Sequence, residues 1–320
     1  MPNETCQVVL SRALSFALLL SIVSCVPKKP AQMKTSIYAS PLKIVSRSEW
    51  RKKFGYQESE VHSLYISPLI GCPFIKADVS GTQTRLMFDT GTSRGFMITN
   101  QAPSIPYTVI RHGEELNADG SHRGQSDSIH IDSINVLGKR FKDVTGTYAD
   151  WRMFSSAPFE GTLGLDFFLD RRITLDYLSG NIAVSTKPLP DITNGGQYLV
   201  LDLVDAPEQH GHNLYACAVV NGRKAIVYFD TGYSHSWIDP GFVNHLTATE
   251  TTGRYRVLRQ KVPVELGGQL ILLSDVREGP IRRGPGFDLP VALALGSDFL
   301  TNFIVTIDLR SKKFILARSR

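Results

Sequence analysis

The sequence feature that most constrains the fold is a segment that occurs twice. Residues 86–98 and 227–238 each consist of an apolar run that ends in Phe-Asp-Thr-Gly and resumes with aromatic and aliphatic residues a few positions later. This pattern predicts a buried strand, a tight turn that carries a carboxylate, and a second buried strand. Chance supplies a given tripeptide only about 0.05 to 0.1 times in a chain of this length. Two copies of Asp-Thr-Gly in matching frames therefore indicate an internal duplication.

The duplication extends beyond these two turns. The two aspartates lie 141 residues apart, and at that spacing Val79-Ser80-Gly81 aligns with Val220-Asn221-Gly222. Both tripeptides predict the hairpin turn that precedes the strand into Asp-Thr-Gly. At a spacing of 132 residues the Leu-Gly segment 163–168 aligns with 295–300, and so do the strand-like segments after them. The second half is therefore predicted to repeat the first, with the Pro- and Gly-rich stretch 188–196 as the connection.

Composition and local pattern favour a mainly β protein. Short runs of Val, Ile, Leu, Thr and aromatic residues are broken by Gly, Pro, Asn and Asp about every eight to twelve residues. A chain of 320 residues with 42% hydrophobic residues can bury a large core. The net charge is +5, but Lys and Arg are scattered and no nucleic-acid-binding motif occurs, so we expect a solvated basic surface and no nucleic-acid partner.

The amino-terminal region has the features of a bacterial lipoprotein signal. Residues 13–24 form an apolar segment that is short for a membrane span, and the sequence Ile-Val-Ser-Cys that ends at Cys25 resembles a lipobox. We therefore predict a signal peptide at 1–24, lipidation of Cys25, and anchoring in the bacterial cell envelope on the periplasmic or extracellular side. Residues 25–60 are interpreted as a linker and amino-terminal extension. An acidic residue and a single arginine before the apolar segment leave open ordinary secretion or an uncleaved anchor.

One short helix is predicted within this extension. Ser48 is the expected N-cap and Gly55 the expected stop.

At the duplicated segments the sequence resembles the pepsin- and retropepsin-like aspartic proteases, in particular bacterial two-lobed, retropepsin-like lipoproteins. Asp-Thr-Gly-Thr-Ser at 89–93 and Asp-Thr-Gly-Tyr-Ser at 230–234 are similar to the family's two active-site loops, and residues 293–308 are similar to the strand that crosses beside the second loop. The resemblance implies a mainly β fold of two homologous β-barrel lobes, related by a pseudo-twofold axis with the active site between them. The lobes would be residues 61–187 and 197–320.

The resemblance also implies which residues perform the chemistry. Peptide hydrolysis needs a base that activates water and an acid that polarises the scissile carbonyl, and Asp89 and Asp230 would form that pair. Two carboxylates about 3 Å apart repel by roughly 5 kcal/mol at an effective dielectric of 20, so the pair would retain one proton. The two threonines would cross-link the loops, and the glycines leave room for the carboxylates. The supporting residues predicted around the dyad are Thr90, Gly91, Thr92, Thr231, Gly232 and Ser234.

Position 233 departs from the family pattern. The family usually has Ser, Thr or Ala at the places of Thr92 and Tyr233, where a hydroxyl can bond the outer oxygen of the aspartate. Tyrosine is far larger, so either its ring points away and Ser234 substitutes, or the second aspartate is presented differently. The neighbouring His235 is interpreted as a surface or cleft-edge residue rather than a catalytic base.

A Gly-containing segment at 117–125 is predicted to form a flap over the cleft, although a polar hairpin of this kind is also typical of an ordinary loop. The candidate flap and substrate-binding residues are Tyr107, Gly120, His122 and Gly124.

Cysteine and histidine patterns predict no metal or cofactor. Cys72 and Cys217 each precede one Asp-Thr-Gly, and either they pair in an oxidising compartment or they remain separate buried thiols. No Cys-x-x-Cys or His-Glu-x-x-His spacing occurs, and His210-x-His212 lies in a polar stretch typical of a solvated loop.

These observations predict a monomeric, membrane-anchored aspartic endopeptidase that hydrolyses extended polypeptides. Two alternatives remain at this stage. A catalytically lapsed relative would bind peptide without cleaving it, and a chain whose halves do not face one another would pair each half with another chain, as single-domain retropepsins do.

Overall fold

The computed structural model describes residues 38–39, 47–92, 95–102, 104–116, 122–151, 159–193, 197–205, 212–243, 248–252, 255–281 and 286–318. The predicted signal peptide and Cys25 lie outside the described residues. The described part of the chain is mainly β, with 54% strand and 8% helix, which confirms the predicted fold class at that level.

The strands of the first half of the chain are β1 (Tyr38–Ala39), β2 (Val61–Ser63), β3 (Tyr65–Ile66), β4 (Pro73–Val79), β5 (Thr82–Phe88), β6 (Phe96–Thr99), β7 (Thr108–Arg111), β8 (Glu114–Leu116), β9 (His122–Val136), β10 (Lys139–Trp151), β11 (Gly161–Leu163), β12 (Arg172–Asp176) and β13 (Asn181–Ser185). Those of the second half are β14 (Tyr198–Asp202), β15 (Leu214–Val220), β16 (Arg223–Phe229), β17 (Trp237–Ile238), β18 (Ala248–Thr252), β19 (Tyr255–Leu258), β20 (Val262–Leu266), β21 (Gln269–Leu273), β22 (Arg277–Glu278), β23 (Val291–Leu295), β24 (Phe303–Asp308) and β25 (Lys313–Arg318). The helices are α1 (Arg47–Lys53) and α2 (Ser297–Leu300), with 3₁₀ turns at Glu58–Glu60, Leu165–Phe168 and Pro240–Phe242.

These strands form three sheets. A nine-stranded sheet has the order β3-β4-β5-β11-β6-β10-β9-β7, with β8 also on β9, and contains strands of the first half only. A ten-stranded sheet has the order β1-β21-β20-β15-β16-β23-β17-β22-β19-β18 and, apart from β1, contains strands of the second half. The third sheet, β14-β25-β24-β12-β13-β2, takes three strands from each half.

The repeated hairpins are present in both halves, as predicted. Strands β4 and β5 have the same lengths as β15 and β16, and each pair is antiparallel. Ser80 and Gly81 have φ of 48° and 86°, while Asn221 and Gly222 have φ of 49° and 77°. Two successive positive φ angles indicate a two-residue turn of the primed type, whose twist suits a tight hairpin.

Equivalent residues of the two halves face one another in the six-stranded sheet. Strands β12 and β24 are antiparallel neighbours, and Thr174 lies directly opposite Thr306. Their hydroxyl groups form a hydrogen bond, with 2.7 Å between the oxygens. The two threonines are 132 residues apart, which is the spacing of the sequence repeat, so β12 and β24 are corresponding strands of the two halves.

Helix α1 packs on the same sheet and corrects one prediction. The helix begins at Arg47, so Ser48 lies inside it, and its assignment as the N-cap is wrong. Trp50 and Phe54, one turn apart, are 0% and 2% exposed, which indicates that burial of this face governs where the helix forms. The stop at Gly55 is confirmed, because that residue has φ of 65° two positions after the last helical residue, Lys53. Among the described residues, no helix is long and apolar enough to cross a membrane.

Candidate active site

The two Asp-Thr-Gly turns stand at corresponding places in the two large sheets. Asp89 and Asp230 are the first residues after the buried strands β5 and β16. The backbone amide of Asp89 donates to the carbonyl of Leu163 at 3.0 Å. In the second half the amide of Asp230 donates to the carbonyl of Leu295, also at 3.0 Å. Because these leucines end β11 and β23, which pair in parallel with β5 and β16, the Leu-Gly segments anchor both turns in the same way.

Thr90 and Thr231 link the two turns through four reciprocal hydrogen bonds. The Thr90 hydroxyl donates to the Phe229 carbonyl and accepts the Thr231 amide, both at 3.0 Å. The Thr231 hydroxyl donates to the Phe88 carbonyl at 2.5 Å and accepts the Thr90 amide at 3.0 Å. The threonines are 0% and 1% exposed, so each hydroxyl satisfies two backbone groups of the opposite turn that water does not reach.

This link brings the carboxyl groups of Asp89 and Asp230 into mutual hydrogen-bonding contact. Each accepts the amide of the glycine two residues on, Gly91 or Gly232, at 2.8 Å. Thr92 adds its backbone amide to the Asp89 carboxyl. A Cβ atom on Gly91 would overlap the Asp230 carboxyl, and one on Gly232 would lie 2.5 Å from Asp89 Oδ1. Glycine is required at both places because the opposite carboxyl lies against its Cα.

The two carboxyls differ in environment. Burial raises the pKa of Asp89. Burial and then the charge of Asp89 raise the pKa of Asp230 well above its ordinary value. Asp230 is 3% exposed, whereas Asp89 keeps part of its surface accessible. The pair therefore titrates as a unit and retains one proton to a higher pH than an isolated carboxyl would.

The side chains of Tyr233 and Ser234 contact a neighbouring tyrosine and a neighbouring histidine. The Tyr233 ring packs edge-on against Tyr228, with 6.2 Å between ring centroids. The Ser234 hydroxyl bonds Nδ1 of His235 at 2.8 Å. The predicted support of Asp230 by Ser234 stays a prediction.

His235 is held as a neutral imidazole. Arg277 can only donate, so its contact with His235 Nε2 at 3.0 Å places the ring proton on Nδ1, which donates to Ser234. Burial and then the charge of Arg277 lower the pKa of His235 to about 4. Both ring nitrogens are thus engaged by residues other than the two aspartates.

Tyr228 is the site residue that the sequence analysis missed. Its hydroxyl donates to the Asp230 carboxyl and lies 2.5 Å from the place of a Cβ on Gly91. The ring is 6% exposed and stacks on Tyr215 with 5.0 Å between centroids. A sequence signal existed, because alternation along β16 turns Tyr228 away from the core-facing Phe229, and a buried tyrosine hydroxyl needs a partner.

Two side chains donate hydrogen bonds to backbone carbonyl groups of the second turn. The Ser297 hydroxyl donates to the Thr231 carbonyl at 2.9 Å, and the Cys72 thiol donates to the Gly232 carbonyl at 3.4 Å. Burial raises the pKa of the Cys72 thiol. Cys72 is buried and Cys217 exposed, and both are free thiols, so the disulfide alternative is wrong.

The predicted flap region is an antiparallel hairpin of β8 and β9, and the tip with Gly120 lies outside the described residues. His122 opens β9 with Nε2 at 3.6 Å from a β8 glutamate. Gly124 has φ of 152°, and Tyr107 stacks on a tyrosine of β10 with 5.4 Å between centroids. The described side-chain contacts of Tyr107 and His122 are with this region rather than with Asp89 or Asp230.

The histidine pair of the polar stretch is not brought to the dyad. His212 Nδ1 lies 2.7 Å from Asp166 Oδ1, and His210 lies outside the described residues. In the part of the chain that the structure describes, no group of three or more His, Cys, Asp or Glu is placed to hold a metal ion.

Comparison with known proteins found no match, either to a family model or to a curated protein.

Proposed function

We propose that this protein is an aspartic endopeptidase with Asp89 and Asp230 as its catalytic dyad, in a two-lobed pepsin/retropepsin-like fold with a pseudo-twofold axis. The observation that carries the proposal is the pair of hydrogen-bonded carboxyls at two equivalent, cross-linked turns. A purely structural turn gives no reason to bury two acidic groups against each other, because like charges in contact destabilise the folded state. Acidic groups with raised pKa values in contact are typical of acid–base catalysis.

In the proposed mechanism the dyad holds one proton. Asp89, the more accessible carboxyl, is the ionised base and takes a proton from water as the water oxygen attacks the scissile carbonyl carbon. Asp230 keeps its proton because burial and the charge of Asp89 raise its pKa, and it donates that proton to the carbonyl oxygen. The resulting tetrahedral diol collapses when the proton on Asp89 moves to the leaving nitrogen and the C–N bond breaks. Asp230 recovers its proton from the diol hydroxyl.

The proposed substrate is an extended polypeptide. An extended backbone can pair with strand edges at a cleft while alternate side chains enter apolar pockets. The hairpin of β8 and β9, with Tyr107, His122 and Gly124, is proposed as the flap. Both Asp-Thr-Gly turns come from one chain, so we propose that a monomer is sufficient.

Cleavage of an unfolded protein tests the proposal. The purified chain should hydrolyse denatured casein, and a statine-type peptide should inhibit it. Asp89→Asn and Asp230→Asn should each lower the rate by about 10² to 10⁴-fold, the range that acid–base groups contribute. Asp239→Asn is the matched control, because Asp239 caps the turn at Gly241 and asparagine is an equally good cap. Full activity in either dyad variant would contradict the mechanism.

A peptide-binding protein without turnover is the second candidate function. The observation that favours it is the bulky Tyr233 at the place where the resembled family has a small residue. This candidate predicts measurable affinity for peptides and no cleavage, with both properties unchanged in Asp89→Asn. Titration of the same casein-derived peptides by fluorescence anisotropy, alongside the cleavage assay, separates the two candidates.

We also propose that the protein is lipid-anchored in the bacterial cell envelope. The lipobox-like sequence before Cys25 supports this. Metabolic labelling with an alkyne-bearing fatty acid should mark the wild-type chain and leave Cys25→Ser unmarked. Equal labelling of both would contradict the anchor.

A further inference from the structure

The side chains around the two aspartates are not equivalent. Two residues before Asp230 stands Tyr228, while the corresponding place in the first half is taken by Met87, 141 residues earlier. The Tyr228 hydroxyl and Asp230 Oδ2 converge on the same point beside Gly91, the point that a side chain on Gly91 would fill. Asp230 Oδ1 is already engaged by the amide of its own glycine. Both oxygens of Asp230 are therefore held by the protein.

The phenol is fixed by its surroundings. Tyr228 stacks on Tyr215 with 26° between ring planes, and Tyr233 meets it edge-on at 86°. These contacts restrict rotation of the ring and keep the hydroxyl at the junction of the two turns. The bulky residue at 233 thus packs the ring that carries the hydroxyl.

The hydroxyl is a permanent donor to Asp230. Burial, and then the charge of Asp230, raise the pKa of Tyr228 well above its ordinary value, so the phenol stays protonated. Donation to a carboxyl stabilises its ionised form and therefore opposes the effect of burial on the pKa of Asp230. The titratable groups that face Asp230 or Tyr228 are Asp89, Cys72, Tyr177, Tyr215 and Tyr233.

We infer that Tyr228 is a positioning residue of the dyad, whose hydroxyl donates to Asp230 and holds that carboxyl in place. The inference rests on the proposed function and deepens it. The surroundings of the two aspartates are then unequal, because Met87, at the place that corresponds to Tyr228, offers Asp89 no hydroxyl donor.

The test is the pH dependence of peptide cleavage in Tyr228→Phe. Loss of one hydrogen bond to a charged group should lower kcat about tenfold or more. KM should change by less than about threefold, because the phenol contacts the carboxyl and not the substrate. The alkaline limb of the pH profile should move to higher pH, because the ionised form of Asp230 loses a donor. Unchanged kcat and unchanged limbs would overturn the inference.

Tyr177→Phe is the matched control. Tyr177 is also 6% exposed and lies within electrostatic range of Asp230, but its hydroxyl has no hydrogen-bond partner in the described part of the chain. Its removal should leave kcat and both limbs unchanged. An equal shift in both variants would assign the effect to general loss of a buried phenol and overturn the specific role of Tyr228.

A second variant keeps the ring and covers the case in which Tyr228→Phe fails to fold. Replacing Tyr228 with 3,5-difluorotyrosine makes the phenol a stronger donor, so the alkaline limb should move to lower pH; no movement overturns the inference. If the wild-type chain binds a statine-type peptide without cleaving any substrate, the proposed function fails. In that case the effect of Tyr228 on the titration of the dyad is measured from the pH dependence of inhibitor binding. Failure of the proposed function and failure of the inference on Tyr228 therefore remain distinguishable.

Discussion

Replacing Thr90 with valine tests the link between the two turns, because valine has the shape of threonine without the hydroxyl. The change leaves the Phe229 carbonyl and the Thr231 amide, both 3.0 Å from the Thr90 hydroxyl, without their partner. Each orphaned buried group costs about 1–3 kcal/mol. The added methyl group offsets roughly 1 kcal/mol of this through burial of apolar surface. We therefore expect the free energy of unfolding to fall by about 1–5 kcal/mol.

Urea unfolding followed by tryptophan fluorescence measures this loss, provided that the slope of the transition stays the same. Thr162→Val is the matched control. Thr162 is 2% exposed, but its hydroxyl has no partner among the described residues, so valine should leave stability unchanged or raise it. A loss below about 0.5 kcal/mol in Thr90→Val, or an equal loss in both variants, would refute the reasoning.

Three further predictions concern titratable groups. Because the pKa of Asp230 is raised in the folded state, the stability linked to its protonation is present below its unfolded pKa and is lost as pH rises through the folded pKa. Asp230→Asn should therefore be more stable than wild type by on the order of 1 kcal/mol at pH 7.5, but not at pH 3.5. Equal urea midpoints at both pH values would contradict this. His235 should titrate near pH 4 in proton NMR rather than between 6 and 7, and its stabilising effect, present above pH 6.5, should fade as pH drops toward 4. A disulfide-exchange reagent should modify Cys217 in the native protein and reach Cys72 only after unfolding; rapid native reaction of Cys72 would contradict its burial.

The features that were predictable from sequence are those that depend on neighbouring residues. Ser80-Gly81 and Asn221-Gly222 predict hairpin turns because glycine and asparagine tolerate positive φ, and the structure has those angles. The alternation of apolar residues then predicts the strands on either side. The repeat adds the expectation that both halves place an aspartate after the second strand.

The features that were missed depend on contacts distant in sequence. Ser48 has the chemistry of an N-cap, yet α1 begins before it. Trp50 and Phe54 are buried against sheet residues that lie more than 100 positions later in the sequence, and this burial determines where the helix forms. The contact of the Ser234 hydroxyl with the ring of the adjacent His235 was also not predicted. His235 is in turn oriented by an arginine 42 residues away, which no local pattern reveals.

The site combines a symmetric backbone with unequal side chains, and the proposed chemistry requires both. The backbone contacts are matched, since each aspartate amide reaches a leucine carbonyl at 3.0 Å and each carboxyl accepts a glycine amide at 2.8 Å. This symmetry brings two identical carboxyls into contact, but identical carboxyls would compete for one proton on equal terms. A tyrosine on one side and a methionine on the other remove that equality. The duplication therefore accounts for the proximity of Asp89 and Asp230, and the divergence at Met87 and Tyr228 makes the surroundings of the two carboxyls unequal.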